Sequence, residues 1–407
     1  MARRGQISID RIVALRSSVL PLYVLVTPDG TVTTSDEVSE DGNDFLTTRM
    51  HKDQISFQSV RGDYLSVEGG QVCTRRYCSE DERFTVIKMD TQYAFKTRSG
   101  QYLSVMDREP FVGLAPSPGE QENFQLFSLM MYGVNVGKQL EDLEKSGSVV
   151  VDNLLDHEQL SALRSTVSDV SGDASGHETR ISGLAGLNEA FVDLSLHPLV
   201  LQLARRALSP KLLLSDVESC CTNADYVRKE LEATTWHVVH PYSAVEFPGV
   251  VDPRISFTAT WFMDNLDQSN STWAWAKAPL TDGPNLPRLP HLSSPSEVEA
   301  AVKGAQTLTA IAGSVWLYMG PMWMSNNIGA ASFWKEYDAQ TRYKHLSGQK
   351  DQSSFRALTD EQSKARTRDE LCPTLIQATY IREYVAPRSA SSLDPRITAA
   401  LRLEANS

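Results

Sequence analysis

The sequence lacks any long apolar segment. Nowhere in its 407 residues do about 18 consecutive apolar residues occur, so no membrane-spanning helix is expected. The basic start of the chain is followed by polar and charged residues at 8–11, not by the uninterrupted apolar run of a secretory signal. We therefore expect a cytoplasmic protein.

Cysteine is scarce, and positive charge is not in excess. The five cysteines are odd in number and no CxxC pair recurs at a zinc-ligand spacing, so a reduced, intracellular protein is the simplest interpretation. The net charge of -12 argues against a broad phosphate-binding surface, and nucleic acid is not an expected partner. Hydrophobic residues make up 41% and charged residues 22%, as in ordinary globular proteins. The length alone suggests two or three domains, and the patterns described below favour two.

An internal repeat occupies the first part of the chain. Gly-Asp-Tyr-Leu-Ser-Val at 62–67 recurs 38 positions later as Gly-Gln-Tyr-Leu-Ser-Val at 100–105. A degenerate earlier copy begins at Tyr23 and turns at Pro28-Asp29-Gly30. Short alternating strands joined by glycine-containing hairpin turns, in units of about 40 residues, predict stacked supersecondary units. Three such units predict a β-trefoil over residues 20–132.

Each repeat closes on an acidic residue shortly before a phenylalanine, as in Glu82 with Phe84 and Glu122 with Phe124. Together with Gly-Xaa-Tyr-Leu-Ser-Val, this pattern resembles the fascin-type trefoil repeat. The resemblance implies a module that binds protein or sugar, because the family contains actin-bundling proteins. One copy has too few sites to crosslink filaments, which leaves an actin or glycan adaptor as the implied role. Four basic residues are surface candidates for such binding or solvated faces: Arg75, Arg76, Lys96 and Arg98.

A second pattern follows a charged segment at 139–145. Residues 148–155 predict an apolar strand, and Asp156 with Gln159 predicts a capped helix start. A second helical region at 187–208 is broken at His197-Pro198, and short β segments continue to 374–380. Helices followed by many short strands predict an α-flanked β-sandwich or barrel. The predicted divisions are an extension at 1–19, the trefoil at 20–132, a linker at 133–147, the second domain at 148–387 and a tail at 388–407.

The order of signals in the second domain resembles the phytanoyl-CoA dioxygenase family. The resembling pieces are the strand at 149–155, His197-Pro198, Trp236-His237, the segments at 261–265 and 312–315, and residues 376–387. The resemblance implies a double-stranded β-helix, a jelly-roll fold also found in cupins. It also implies Fe(II) and 2-oxoglutarate as cofactors if the family chemistry is retained. Such sites use two histidines and one carboxylate on one face of the metal.

The ligand positions carried over from this family are mostly filled by other residue types. The first iron-binding histidine falls on His237, but the aspartate falls on Val239 and the second histidine falls on Met324. One imidazole without a carboxylate holds Fe(II) poorly, because Fe(II) is a weak binder among the divalent metals. The resemblance therefore predicts a degenerate site, and no cofactor is assigned on these residues alone.

The cosubstrate arginine is also missing from its expected place. It should open the last strand near Cys372, where Pro373 follows instead of a basic residue. Arg366 and Arg368 are the nearest candidates for cofactor binding, provided that the loop folds back. Without that arginine, the charge-assisted clamp on 2-oxoglutarate is lost.

Three alternatives keep a metal at this site. His240 becomes a second ligand beside His237 if the strand bends before Pro241. A halide replaces the carboxylate in related halogenases, although these keep both histidines and Val239 is bulkier than the small residue they use. A ligand can also come from elsewhere in the chain, and the candidates are Glu246, Asp264, His291 and His345.

The candidate catalytic residues are His237, Tyr242 and Trp261. Aromatic residues concentrate in this domain, as barrel core or as the wall of an apolar ligand chamber: Trp236, Tyr242, Trp261, Phe262, Trp273, Trp275, Trp316, Tyr318 and Trp323. The leading hypothesis is a protein that binds a small apolar organic ligand, or a metal-independent, non-oxidative enzyme. The rivals are an Fe(II)/2-oxoglutarate oxygenase with a rearranged ligand set and the trefoil adaptor.

Overall fold

The computed structural model describes residues 11–40, 42–171, 178–181, 183–222, 237–238, 256–266, 273–277, 306–319, 322–326 and 374–382. These residues are mainly β-structure. They belong to two compact units, one formed by residues within 11–142 and Pro198–Lys211, the other by residues within 143–197 and 212–402. No helix among the described residues is long and apolar enough to cross a membrane.

Twelve strands build the sheet of the first unit. They are β1 (Ile12–Ser17), β2 (Tyr23–Val26), β3 (Val32–Ser35), β4 (Leu46–His51), β5 (Gln54–Gln58), β6 (Tyr64–Glu68), β7 (Gln71–Arg75), β8 (Phe84–Met89), β9 (Gln92–Lys96), β10 (Tyr102–Val105), β11 (Val112–Ala115) and β12 (Phe124–Ser128). Six of them pair antiparallel in a closed ring, β1-β4-β5-β8-β9-β12. The other six form three hairpins, β2-β3, β6-β7 and β10-β11. A six-stranded barrel with three hairpins is the β-trefoil that the repeat predicts.

The repeat motif encodes the trefoil locally. Gly62 and Gly100 have φ of 92° and 91°, a left-handed backbone that only glycine adopts without strain. Each donates its N–H to the residue three positions earlier, which closes the turn before the Tyr-Leu-Ser-Val strand. The closing acids act in the same way, because Glu82 accepts the N–H of Ser79 at 2.6 Å and Glu122 accepts the N–H of Gly119 at 2.7 Å. The phenylalanines that follow these acids are fully buried.

Four phenylalanine rings from the repeats form the centre of the trefoil core. Phe57 lies 4.9 Å from Phe95 and 5.9 Å from Phe84, and Phe95 lies 5.6 Å from Phe124, as measured between ring centroids. All four side chains are fully buried. Aromatic pairs at these distances add to the hydrophobic stabilisation of the core.

Four α-helices and two short 3-10 helices are present in the described residues. They are α1 (Val136–Ser146), α2 (His157–Ser171), α3 (Glu189–Ser195) and α4 (Pro198–Ala207), with 3-10 turns at Glu120–Glu122 and Leu184–Gly186. The capped start of α2 is confirmed, since Asp156 and Gln159 exchange backbone and side-chain hydrogen bonds of 3.0 and 2.8 Å. The predicted linker at 133–147 contains α1, which buries Val136, Leu140 and Leu143.

Helix α4 belongs to the first unit although 55 residues of the second unit precede it, from 143 to 197. The half-buried Arg206 donates to the carbonyl oxygens of Gly42 and Phe45 at 3.0 and 2.8 Å and to the hydroxyl of Thr47 at 2.7 Å. Gln202 adds a hydrogen bond of 2.7 Å to the side chain of Asn43. These bonds anchor α4 to the trefoil.

The strands of the second unit lie in two sheets. The six-stranded first sheet contains β15 (Ser148–Val151), β16 (Glu178–Ile181), β17 (Leu212–Thr222), β19 (Ser256–Phe262), β22 (Val315–Met319) and β24 (Leu375–Arg382); the four-stranded second sheet contains β18 (His237–Val238), β20 (Trp273–Lys277), β21 (Gln306–Thr307) and β23 (Met322–Asn326). A separate small hairpin is formed in the first unit by β13 (Met130–Met131) and β14 (Val134–Asn135).

The chain alternates between these two sheets. From β17 in the first sheet it passes to β18 in the second sheet and returns to the first for β19. The paired strands β20 and β21 lie in the second sheet, β22 in the first, β23 in the second and β24 in the first. The first sheet has the order β15-β22-β19-β24-β17-β16 and the second the order β18-β23-β20-β21, with all pairs antiparallel. Eight strands that alternate between two sheets in this order form a double-stranded β-helix. The predicted fold class is confirmed for both parts of the chain.

One face of the first sheet packs against helices. It carries Phe257, Ala259 and Trp261 from β19 and Tyr380 from β24, all fully buried. The Tyr380 hydroxyl donates to the carbonyl oxygen of Ser195 in α3 at 2.5 Å. Burial raises the pKa of Tyr380, so this hydroxyl stays protonated. The apolar composition of this face leaves the opposite face as the place for polar chemistry.

Candidate functional site

The second sheet places His237 in a row with three other residues. Met324 is the direct partner of His237, Trp275 is the partner of Met324 on the other side, and Gln306 follows Trp275. Direct partners in an antiparallel ladder lie on the same face of the sheet. The row His237-Met324-Trp275-Gln306 is therefore one face of the second sheet.

Aromatic rings connect this row to the first sheet. The Trp275 ring lies 6.3 Å from the Trp316 ring of β22, and the Trp316 ring lies 4.3 Å from that of Tyr318. Trp316 and Tyr318 belong to one core cluster with Phe262 of β19. Trp275 of this row thus faces the side of the first sheet that is turned away from the helices.

On this inner face, the first sheet carries a polar stripe, which we define as Thr258, Thr260, Gln377, Thr379, Glu218 and Tyr318. Thr258 lies between Tyr318 and Thr379, and Thr260 lies between Trp316 and Gln377. Glu218 of β17 is the partner of Gln377. Thr258 and Thr260 are 0% and 2% exposed, and neither hydroxyl has a hydrogen-bond partner among the residues that the structure describes.

The structure brings some predicted site residues together and separates others. His237 and Met324 are direct partners, whereas Trp261 lies on the helix-facing side of the first sheet with its ring 5.3 Å from that of His197. The placement of Trp261 does not support a role beside His237, and that role stays a prediction. The other predicted positions lie outside the described residues: His240, Tyr242, Val239, Glu246, His291, His345, Arg366 and Arg368.

Asp264, one of the alternative ligands, is engaged elsewhere. Its carboxylate accepts hydrogen bonds from Arg164 at 3.1 Å and from the backbone N–H of Thr374 at 3.0 Å. Arg164 also donates to the carbonyl oxygen of Met263 at 2.7 Å. These contacts tie α2 to the start of β24. The Asp264 carboxylate therefore has a structural role among the described residues.

No set of residues in the described part of the chain makes up the Fe(II) site that the resemblance implies. Among the described residues there is no group of three or more His, Cys, Asp or Glu that could hold a metal ion. In the register of the second sheet a methionine is paired with His237, whereas a ferrous site of this kind uses two histidines and a carboxylate. Thioether ligands favour softer metals such as Cu(I), so Met324 is a poor substitute for histidine at a ferrous centre.

The described inner-face positions of β24 also lack the group that would clamp 2-oxoglutarate. By register the positions of β24 on the inner face are Leu375, Gln377, Thr379 and Ile381, none of which is basic. An arginine would hold the distal carboxylate through two parallel charge-assisted hydrogen bonds, which a neutral amide cannot reproduce.

The polar stripe was missed by sequence reasoning although a signal was available. In β19, threonine alternates with Phe257, Ala259 and Trp261 at the period of two that separates the faces of a strand. Gln377 and Thr379 alternate in the same way with Ile376 and Ala378 in β24. Alternation in a fully buried strand indicates two different environments, one apolar and one polar.

Comparison with known proteins finds a family for part of the chain. The Fascin domain model matches residues 22–126, which confirms the predicted fascin-like trefoil over a minor part of the sequence. The chain matches no curated protein.

Several solved structures are similar. One is the non-heme alpha ketoglutarate dependent epimerase SnoN from nogalamycin biosynthesis, 12% identical, which covers 61% of this chain and 83% of that chain with a TM-score of 0.38. HygX from Streptomyces hygroscopicus with nickel and 2-oxoglutarate bound is 12% identical, and the match covers 63% of this chain and 89% of HygX with a TM-score of 0.39. SeviL bound to asialo-GM1 saccharide is 10% identical, and the match covers 29% of this chain and 98% of SeviL with a TM-score of 0.27.

Proposed function

We propose that residues 148–387 form a phytanoyl-CoA dioxygenase-like domain whose iron and 2-oxoglutarate site is degenerate. The domain binds a small organic molecule, or acts on it without metal and without oxidation. The pairing of β18 with β23 carries this proposal, because Met324 is directly opposite His237. The resemblance in sequence expects the second histidine at Met324, and neighbouring strands are where two ligands of one metal belong.

The residue types around His237 support the proposal. Val239 replaces the carboxylate in the sequence, and Gln377 and Thr379 stand on the inner face of β24 where no arginine is available. Each replacement removes a charge that the ferrous chemistry needs, either to hold the metal or to orient the cosubstrate. Such a chain keeps the shape of the barrel and loses the means to bind iron.

The test is anaerobic purification with Fe(II), followed by measurement of bound iron and of 2-oxoglutarate turnover. The proposal expects iron far below one equivalent and no turnover above the background. Iron near one equivalent that is lost in His237→Ala would instead establish the rearranged oxygenase, in which His240 is the candidate partner of His237. In that case Arg366 and Arg368 become the residues to vary for cosubstrate binding.

The Fascin match favours a second candidate function, in which the trefoil binds actin or a glycan. The basic surface candidates give this role limited support. Arg75 forms an ion pair with Glu68, and Arg98 lies 2.8 Å from Glu80, with more than half of each of these side chains exposed. Surface arginines neutralised in this way contribute little to an attractive field.

The adaptor role is tested by co-sedimentation with actin filaments and by a glycan array. Both use the full-length chain, because α4 is part of the first unit and residues 1–132 lack it. Binding in either assay that is lost in Arg75→Ala or Arg98→Ala supports the adaptor. Absence of binding in both assays removes it.

A further inference from the structure

The inner face of the first sheet differs from an ordinary sheet core. Thr258 and Thr260 are directly flanked by Tyr318 and Trp316 on one side and by Thr379 and Gln377 on the other. Hydroxyl and amide groups thus continue across three neighbouring strands, and Glu218 extends the stripe to a fourth. Buried polar groups in proteins are normally paired with each other or with the backbone.

The two central threonines break that rule. Their hydroxyls are buried and have no partner among the residues that the structure describes. The buried Thr97 of the trefoil is paired, since its hydroxyl lies 3.0 Å from the carbonyl oxygen of Gln101 and 2.9 Å from the Ser99 hydroxyl. A hydroxyl that is taken out of water without a partner is destabilising. Two such groups side by side leave hydrogen-bonding capacity within the described residues that a bound molecule can satisfy.

We infer that the polar stripe is the binding site for a small polyhydroxylated ring, a sugar or a cyclitol. This inference rests on the proposed function, because it gives the ligand class of the same domain. It differs from the apolar ligand expected from the aromatic composition. The structure places threonine, glutamine and carboxyl groups, and not only aromatic side chains, on the inner face.

The chemistry of the stripe selects for such a ring. Threonine, tyrosine and glutamine side chains both donate and accept hydrogen bonds, which matches the hydroxyl groups of a polyol. The Glu218 carboxyl group accepts hydrogen bonds from hydroxyl donors, and it disfavours an anionic ligand when ionised. None of the six residues of the stripe is basic, so a dicarboxylate such as 2-oxoglutarate finds no counter-charge in it.

The aromatic residues beside the stripe supply the apolar part of the site. Trp275, Trp316 and Tyr318 form a continuous set of rings from the second sheet to the first. Small-molecule sites combine such apolar walls with a few placed polar groups. Trp275 and Gln377 are only half-buried, whereas Thr258 and Trp316 are almost fully buried. The ligand therefore enters at the side of Trp275 and Gln377.

Saturation-transfer difference NMR on the full-length protein tests the inference. The probes are myo-inositol, D-glucose and D-galactose at millimolar concentration, with succinate and 2-oxoglutarate as anionic comparators. We expect at least one polyol to bind, and its Kd to rise about tenfold in Thr260→Val and in Gln377→Leu because each variant removes one hydrogen-bonding group. Thr97→Val, which alters a paired threonine in the trefoil, leaves the Kd unchanged.

Three results would overturn the inference: no polyol binds, only the dicarboxylates bind, or the polyol affinity is the same in Thr260→Val and Gln377→Leu as in the unaltered protein. The last result would locate sugar binding outside the stripe. Iron content separates this inference from the proposed function. Stoichiometric iron with polyol binding at the stripe refutes the degenerate metal site and leaves the ligand class standing, whereas absence of both refutes only the ligand class.

Discussion

Replacing Thr258 or Thr260 by valine should stabilise the ligand-free protein. Valine has nearly the same shape as threonine and substitutes a methyl group for a hydroxyl that has no partner in the described residues. A buried polar group without a hydrogen bond costs about 1–3 kcal/mol, so we expect each substitution to raise the free energy of unfolding by about 1 kcal/mol. For a domain of about 150–250 residues this corresponds to a rise in Tm of about 2–4 °C.

The assay is urea and thermal unfolding of each variant, followed by tryptophan fluorescence and calorimetry. Thr97→Val is the matched control, because the Thr97 hydroxyl is hydrogen-bonded to Gln101 and its loss should destabilise by about 1 kcal/mol. The two substitutions should therefore have opposite signs. If Thr258→Val and Thr260→Val destabilise as much as Thr97→Val does, both hydroxyls are paired within the folded protein and need no external partner.

Three further predictions concern the packing of each unit. Arg206→Met should lower the free energy of unfolding by about 2–4 kcal/mol in a urea titration, because it leaves two trefoil carbonyl groups without their charged donor. The control is Arg61→Ala, which removes one exposed hydrogen bond of 3.3 Å. It should change the free energy of unfolding by less than about 0.5 kcal/mol in the same titration. Burial lowers the pKa of His197 to about 4. Between about pH 6.5 and pH 4 the unfolded chain binds a proton that the folded chain does not, so the free energy of unfolding decreases by up to about 3 kcal/mol as the pH is lowered through this range. His197→Phe should remove this decrease from the pH profile of stability. Desolvation raises the pKa of Glu82, but hydrogen bonds from Ser66 and Ser79 outweigh this effect and hold the pKa below its usual value. Glu82→Gln should therefore destabilise the trefoil by about 1–3 kcal/mol at neutral pH. Glu80→Gln, which changes an exposed carboxylate, should have little effect on Tm.

The trefoil could be predicted from the sequence because its signals are local. A glycine at positive φ, the strand after it and an acid that ties the closing turn recur within each unit, and the structure uses all of them as the pattern indicates. The charged residues of helix α1 dominate its composition, and the sequence therefore predicts a linker there. Its apolar residues Val136, Leu140 and Leu143 nevertheless have helical spacing and are buried.

The long-range features could not be predicted in the same way. The sequence shows a helix near Arg206, but only the fold brings that side chain to residues about 160 positions earlier. Similarly, the sequence shows methionine where the resemblance expects histidine, and only strand pairing places it opposite His237. The inner face of the first sheet combines β17, β19, β22 and β24, which are separated by long intervals of chain. No single stretch of sequence contains the polar stripe.

The most direct test of the degenerate iron site restores the residues that the resemblance expects. Val239→Asp and Met324→His are introduced together, and bound iron is measured after anaerobic loading in this double variant and in the unaltered protein. We predict iron near one equivalent in the double variant, lost again when His237→Ala is added, and far less than one equivalent in the unaltered chain. Near-stoichiometric iron in the unaltered chain, with the same dependence on His237, would contradict the account.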